Sequence, residues 1–184
     1  MTPSDEFKAS GAPGVGRPVA NARYMLGHPA RWIALGMGSG LSPRAPGTVG
    51  TLWAWVSFLA LQPWLDDAQW LMLISASVLV GWWACTKVAR ELALADPSCI
   101  VWDEVVAFWL ILLMIQPAGL LEQGVAFALF RFFDAVKPQP VGWADQLFKS
   151  RGAQTPGWLQ GWGILFDDLV AAACVLLLWA LWVF

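Results

Sequence analysis

Charges set inside long apolar stretches constrain this chain more than any other feature. Segments 48–65, 70–88, 100–116, 120–136 and 164–184 are almost continuously apolar, and charges cluster in or at the edge of three of them. Asp103 and Glu104 lie in IVWDEVVAFWLILLMI, Arg131, Asp134 and Lys137 in GVAFALFRFFDAVKP, and Asp167 and Asp168 in GILFDDLVAAACVLLLWALWVF. A helix needs about 20 apolar residues to cross a bilayer. Charges inside such a segment are costly, which makes them functional-site candidates. The apolar runs lack the alternation of a barrel strand, and only helices and closed barrels satisfy the backbone in lipid. The expected fold is therefore all-α, a polytopic transmembrane helical bundle of about five membrane segments.

Composition supports this reading. Of 184 residues 58% are hydrophobic and only 13% charged, with 14 Trp, far from the profile of a soluble domain. Trp53, Trp55, Trp64, Trp70, Trp143, Trp158, Trp162 and Trp182 fall near segment ends, where interfacial belts place them. Residues 1–31, rich in Gly, Pro, Ala and Arg, read as a flexible cytoplasmic arm without the apolar core of a secretory signal. Residues 32–184 read as one transmembrane domain. Cys85, Cys99 and Cys174 lack the paired spacing of zinc sites or disulfide frameworks and read as buried apolar residues. A net charge of −2 gives no footprint for nucleic acid, so the partner is the lipid bilayer. No feature of the sequence sets an oligomeric state.

Basic residues set the orientation. Lys8, Arg17, Arg23, Arg31 and Arg44 precede the first segment, Lys87 and Arg90 follow the second, and Lys137, Lys149 and Arg151 follow the fourth. The turns 62–69 and 117–123 carry no Lys or Arg. The positive-inside rule then puts the N-terminus in the cytoplasm and, with five spans, the C-terminus outside. Every charged cluster falls at the cytoplasmic face. Residues 131, 134 and 138 also share one helix face.

Asp103, Glu104, Asp134, Asp145, Asp167 and Asp168 outnumber Arg44, Arg131 and Lys137 two to one, so a cation is missing. Mg²⁺ fits, because it takes one or two carboxylates together with waters and substrate phosphate oxygens. Arginine as a fork and lysine as a point charge would complement the phosphate. GMGSGLSPRAPGTVGT adds a loop dense in Gly, Ser and Thr before a helix start, where N–H groups and hydroxyls can approach anionic oxygens; it has no Walker A lysine. His28 is the only histidine, no Cys is followed six positions later by Arg, and no Asp-x-Asp occurs. These absences disfavour enzyme nucleophiles and leave water, activated by a carboxylate-held Mg²⁺.

The four motifs GSGLSPRAPGTVGTLWA, IVWDEVVAFW, FRFFDAVKPQPVGWAD and GWGILFDDLVAA, in this order, resemble the phosphatidylglycerophosphatase A family over roughly residues 35–184. The resemblance implies a Mg²⁺-dependent phosphatase of the bacterial inner membrane. Its substrate would be phosphatidylglycerophosphate, from which it removes the terminal phosphate. It nominates Ser42, Pro46, Gly47, Thr48 and Gly50 in the loop, Asp103 and Glu104, then Arg131, Asp134, Lys137 and Pro138, Asp145, and Asp167 with Asp168. Asp103, Glu104, Asp134, Asp167 and Asp168 are the metal candidates, because IVWDEVVA and ILFDDLVA read as two versions of one helix start. Asp134 is either a ligand or the partner that fixes Arg131. Ser42, Arg44, Gly47, Thr48, Arg131 and Lys137 are the substrate-binding candidates, and Asp103, Glu104, Arg131, Asp134, Lys137 and Asp168 the catalytic ones.

Blander readings compete. Acids are favoured in first helical turns, and Arg131 with Asp134 makes an ordinary i, i+3 pair. A cation-coupled transporter would place such acids near the bilayer midplane between repeats, yet these clusters gather at one surface. A CDP-alcohol phosphotransferase, also lipid-facing and Mg²⁺-dependent, has a signature beginning Asp-Gly, a dipeptide this chain lacks.

Overall fold

The computed structural model describes residues 20–148 and 157–183; Lys8, Arg17, Lys149 and Arg151 lie outside them. The described residues form helices and no strand: α1 Ala22–Leu26, α2 Pro29–Ala34, α3 Pro46–Leu61, α4 Asp67–Leu92, α5 Trp102–Met114, α6 Leu120–Val136, α7 Val141–Phe148 and α8 Trp158–Val183. A tight 3₁₀ segment, Gly36–Leu41, joins α2 to α3.

Local chemistry sets the helix limits. Asp66 Oδ1 accepts from the Gln69 N–H at 2.8 Å while Gln69 Oε1 accepts from the Asp66 N–H at 3.0 Å, a reciprocal cap that starts α4. Ala93, in the left-handed region, ends that helix. Glu122 Oε2 accepts from the Gly119 N–H at 2.6 Å at the start of α6, and Lys137, also left-handed, ends it.

Two helices, α4 and α8, are long and apolar enough to cross a membrane. Each has 26 residues, about 39 Å at 1.5 Å per residue. The expectation of about five spans is therefore met only in part. The 100–116 segment yields a 13-residue helix, about 20 Å long and short of the roughly 30 Å hydrocarbon core. Its apolarity has another cause: α5 is the central helix, packed by α3, α4, α6 and α8. Val105, Ala107, Phe108, Ile111 and Leu112 are fully buried. Helices α3, with 16 residues, and α6, with 17, are intermediate in length.

Tryptophan is used in the core as well as at the segment ends. Trp70, expected in an interfacial belt, is buried and stacks on Phe58 with ring centroids 4.5 Å apart. Trp109 donates to the Ala54 carbonyl and to Ser57 Oγ, both at 3.0 Å, and Trp102 donates to the Ser77 carbonyl at 3.1 Å, so α5 is tied to α3 and α4 by indole N–H groups. Trp64 and Trp182 remain exposed, as lipid or headgroup contact requires.

The boundary expected at residue 31 falls inside α2. Arg31 Nε donates to Glu91 Oε2 at 2.8 Å and the Tyr24 hydroxyl donates to the same oxygen at 2.7 Å, clasping α1 and α2 to α4. From α2 the chain wraps the start of α5: the Val101 N–H donates to the Ala34 carbonyl at 3.0 Å. A Cβ on Gly40 would lie 2.1 Å from the Cys99 carbonyl oxygen, and one on Gly50 2.7 Å from Val101 Cβ. The glycine-rich loop is glycine-rich first for this close approach.

Helix α8 begins at Trp158, six residues before the apolar segment expected from 164. Its first turns press on α4 and α7, with a Cβ on Gly161 meeting Thr86 Oγ1 at 1.8 Å and one on Gly163 meeting Phe148 Cβ at 2.5 Å. Gly161→Leu is expected to overpack this crossing and cost at least about 3 kcal/mol, the upper range for inserting side-chain volume into a tight contact. Gly124→Ala, whose new methyl would meet nothing nearer than Trp55 at 3.6 Å, is expected to be tolerated. Thermal unfolding in detergent checks both.

Candidate active site

The first turn of α5 carries Asp103 and Glu104, and the packing of α5 on α8 brings Asp168 against them. Glu104 and Asp168 are buried and Asp103 partly so. One carboxylate oxygen from each of the three lies within 4.8 Å of the other two. The two acid pairs are not in equivalent registers. Asp103 is the second residue of its helix and Asp168 the eleventh of its own, because α8 has extra turns that the apolar pattern did not show.

Three oxygens in this cluster, Asp103 Oδ1, Glu104 Oε2 and Asp168 Oδ2, are buried without a hydrogen-bond partner among the described residues. Buried carboxylate oxygens normally accept hydrogen bonds or meet a cation, and leaving several unpaired together is strongly unfavourable. The donor set, oxygen only and carboxylate only, suits a hard divalent cation.

Arg131, from the last turns of α6, borders the triad. Its Nη1 approaches Asp134 Oδ2 at 2.7 Å and Glu104 Oε1 at 3.7 Å. The same atom donates to Thr51 Oγ1 at 3.2 Å. Thr51, fully buried, in turn donates to the Gly47 carbonyl at 2.9 Å. Gly47 lies in the first turn of α3, directly over the site: a Cβ there would sit 2.2 Å from Glu104 Oε1 and 3.0 Å from Arg131 Nη2.

Lys137 forms a second group. Its ammonium donates to Asp145 on α7 and Asp167 on α8. Burial works against that charge, yet the two carboxylates hold the lysine pKa above its ordinary value.

The structure thus joins Asp103, Glu104, Asp168, Arg131, Asp134 and Gly47 around one point, with Lys137, Asp145 and Asp167 beside it. Asp134 and Asp167, both nominated as ligands, each already face a cationic partner. Ser42 donates to the Arg44 carbonyl at 2.8 Å, Arg44 is exposed and Thr48 half-buried; no contact joins these three to the triad among the described residues. Sequence reading passed over Thr51. Its spacing of four from Gly47 puts it on the same face of α3, and that was the available signal.

The described residues form an all-α fold with two helices long and apolar enough to cross a membrane, and with a buried acidic cluster flanked by arginine, a site chemically suited to a cation and an anionic group together. The sequence model of the family described as phosphatidylglycerophosphatase A matches residues 32–183. The chain is 31% identical to the Escherichia coli K12 protein described as phosphatidylglycerophosphatase A, over 84% of each chain. It is 33% identical to the Haemophilus influenzae protein of the same description, over 82% of this chain and 86% of the relative. It is also 36% identical to a Bacteroides thetaiotaomicron protein with a provisional phosphatidylinositol-3-phosphatase description, over 82% of this chain and 92% of the relative. No solved structure matches the chain. The chain belongs to the phosphatidylglycerophosphatase A family and is a phosphatase.

Gly47→Ala forces a methyl into the space shared by Glu104 and Arg131. It is expected to lower kcat/KM for phosphate ester hydrolysis by about a hundredfold, since displacements on the 1 Å scale cost that much at a reacting centre. Thermal stability should change little. Steady-state kinetics beside a melting curve checks this, and near-normal kcat/KM would mean the site does not need that closeness.

Proposed function

We propose that the chain hydrolyses the terminal phosphomonoester of phosphatidylglycerophosphate in a Mg²⁺-dependent reaction, giving phosphatidylglycerol and inorganic phosphate. One observation carries the reading: three carboxylates from two helices converge, each with a buried unpartnered oxygen, beside an arginine. Asp103, Glu104 and Asp168 are the residues that would hold the ion. When bound there, Mg²⁺ supplies positive charge against the phosphoryl oxygens and a water of lowered pKa. The relatives from Escherichia coli and Haemophilus influenzae support the choice of substrate.

The chain's own residues do the positioning. Arg131 binds the non-bridging phosphate oxygens through its planar fork, and Asp134 on the same helix pairs with it. Lys137, clasped between Asp145 and Asp167, pins the α6–α7 turn against α8. Hydrolysis forms a P–O bond to water and breaks the P–O bond to the terminal glycerol oxygen, which leaves with a proton. Positive charge within the site grows more valuable as the phosphoryl group loosens.

The reading places the site at the cytoplasmic face of the inner membrane, where the positive-inside rule puts Arg23, Arg31, Arg44, Lys87, Arg90 and Lys137. Pairing of Arg31 and Lys87 with Glu91, near the C-terminal end of α4, supports one basic end of the bundle.

The test is phosphate release by detergent-purified protein from phosphatidylglycerophosphate and, in parallel, from phosphatidylinositol 3-phosphate. Chelator should abolish release and Mg²⁺ restore it. Asp103→Asn and Asp168→Asn are each expected to lower kcat by on the order of a hundredfold or more, as loss of a ligand to a catalytic metal does. Mg²⁺ should also raise the melting temperature of the native chain, since a ligand that binds only the folded state stabilises it, and should do so less in either variant. Full turnover in chelator, or equal stabilisation of all three proteins, would sink the metal assignment.

A further inference from the structure

We infer that Thr51 is a positioning residue that sets the arginine fork for the phosphate of the substrate. This rests on the reading of Arg131 as the phosphate-binding side chain. Thr51 is fully buried near the N-terminal end of α3, a turn beyond Gly47. Its hydroxyl hydrogen is committed, because it donates to the Gly47 carbonyl at 2.9 Å. The oxygen can therefore only accept from Arg131, whose Nη1 lies 3.2 Å away. The polarity of the contact is fixed twice, by the committed hydroxyl and by a guanidinium that can only donate.

The contact matters because of what else surrounds the guanidinium. Asp134 on the same helix and Glu104 on α5 both draw Nη1 by charge, at 2.7 and 3.7 Å. A pair of carboxylates alone would let the fork swing between them. An arginine discriminates phosphate by the direction of its N–H bonds, so a rotated fork keeps its charge and loses its two-point grip. Thr51 adds a third, neutral anchor from a third helix. It also lies on the face of α3 on which Gly47 leaves room for Glu104 and Arg131. The hydroxyl and the missing side chain are two halves of one device: Gly47 lets the fork approach, and Thr51 fixes its rotation.

Thr51→Val keeps the volume and the branched Cβ and removes the hydroxyl, and with it both the acceptor for Arg131 and the donor to the Gly47 carbonyl. It is expected to lower kcat/KM about tenfold, the equivalent of one hydrogen bond to a charged group at the low end of its range. The Ki for inorganic phosphate as product inhibitor should rise by a similar factor, with the melting temperature unchanged. Thr51→Ser should recover both constants to within about threefold of the native chain, since it restores the hydroxyl. In an Arg131→Lys background, Thr51→Val should change neither constant further, because coupled residues are not additive.

The outcomes separate the two readings. If Arg131→Lys leaves phosphate inhibition intact, the assignment of Arg131 fails and this inference falls with it. If Arg131→Lys weakens inhibition while Thr51→Val behaves as the native chain, only the role of Thr51 is overturned. Failure of Thr51→Ser to rescue, or an additive double variant, would reduce Thr51 to a packing residue.

Discussion

Everything at the functional end of this molecule depends on placing the N-terminus of α5 inside the bundle. A helix start that carries Asp103 and Glu104 would ordinarily be left in water, where the helix dipole favours acids and solvent screens them from each other. Here α8 covers that start and contributes Asp168, so three carboxylates share a space largely closed to solvent. The arrangement opposes folding unless positive charge reaches it. Arg131 supplies part of that charge from within the chain, and the divalent cation proposed for the site would supply the rest.

Close approach of backbones is what makes such a site buildable. Gly40 and Gly50 let the loop before α3 close over residues 99–101, Gly47 opens room for Glu104 and Arg131, and Gly161 lets α8 cross α4 at contact distance. Small residues at helix crossings let backbones come into direct contact. These glycines sit at the crossings and at the site, while bulky Trp and Phe rings fill the centre around α5.

Much of this was legible in the residues. The apolar runs identified the helices, and α6 coincides with its expected segment, bounded by Pro117 and Gly119 before it and by Lys137 and Pro138 after it. Clustered charges in apolar surroundings pointed to Asp103, Glu104, Arg131, Asp134, Lys137 and Asp168. Three things were hidden. The apolarity of 100–116 looked like a span and belongs to a short central helix, since burial in protein and burial in lipid select the same side chains. Trp70 looked like an interfacial anchor and lies in the core for the same reason. The start of α8 was concealed because GWLQGWG lies before the continuous apolar run, and its Gly161 and Gly163 serve as points of close helix approach.

The sequence by itself determined the all-α class, the membrane-like composition and the identity of the ionisable groups available for chemistry, because those follow from local periodicity and from residue types that apolar surroundings otherwise exclude. Only the tertiary structure decided which acids meet. Asp167 and Asp168 are neighbours in the chain, yet a rotation of about 100° per residue sends one to Lys137 and the other to Asp103 and Glu104. That division depends on how α5, α6 and α8 are rotated against one another. Helix rotation is fixed by the summed packing of many distant side chains, which no local segment records.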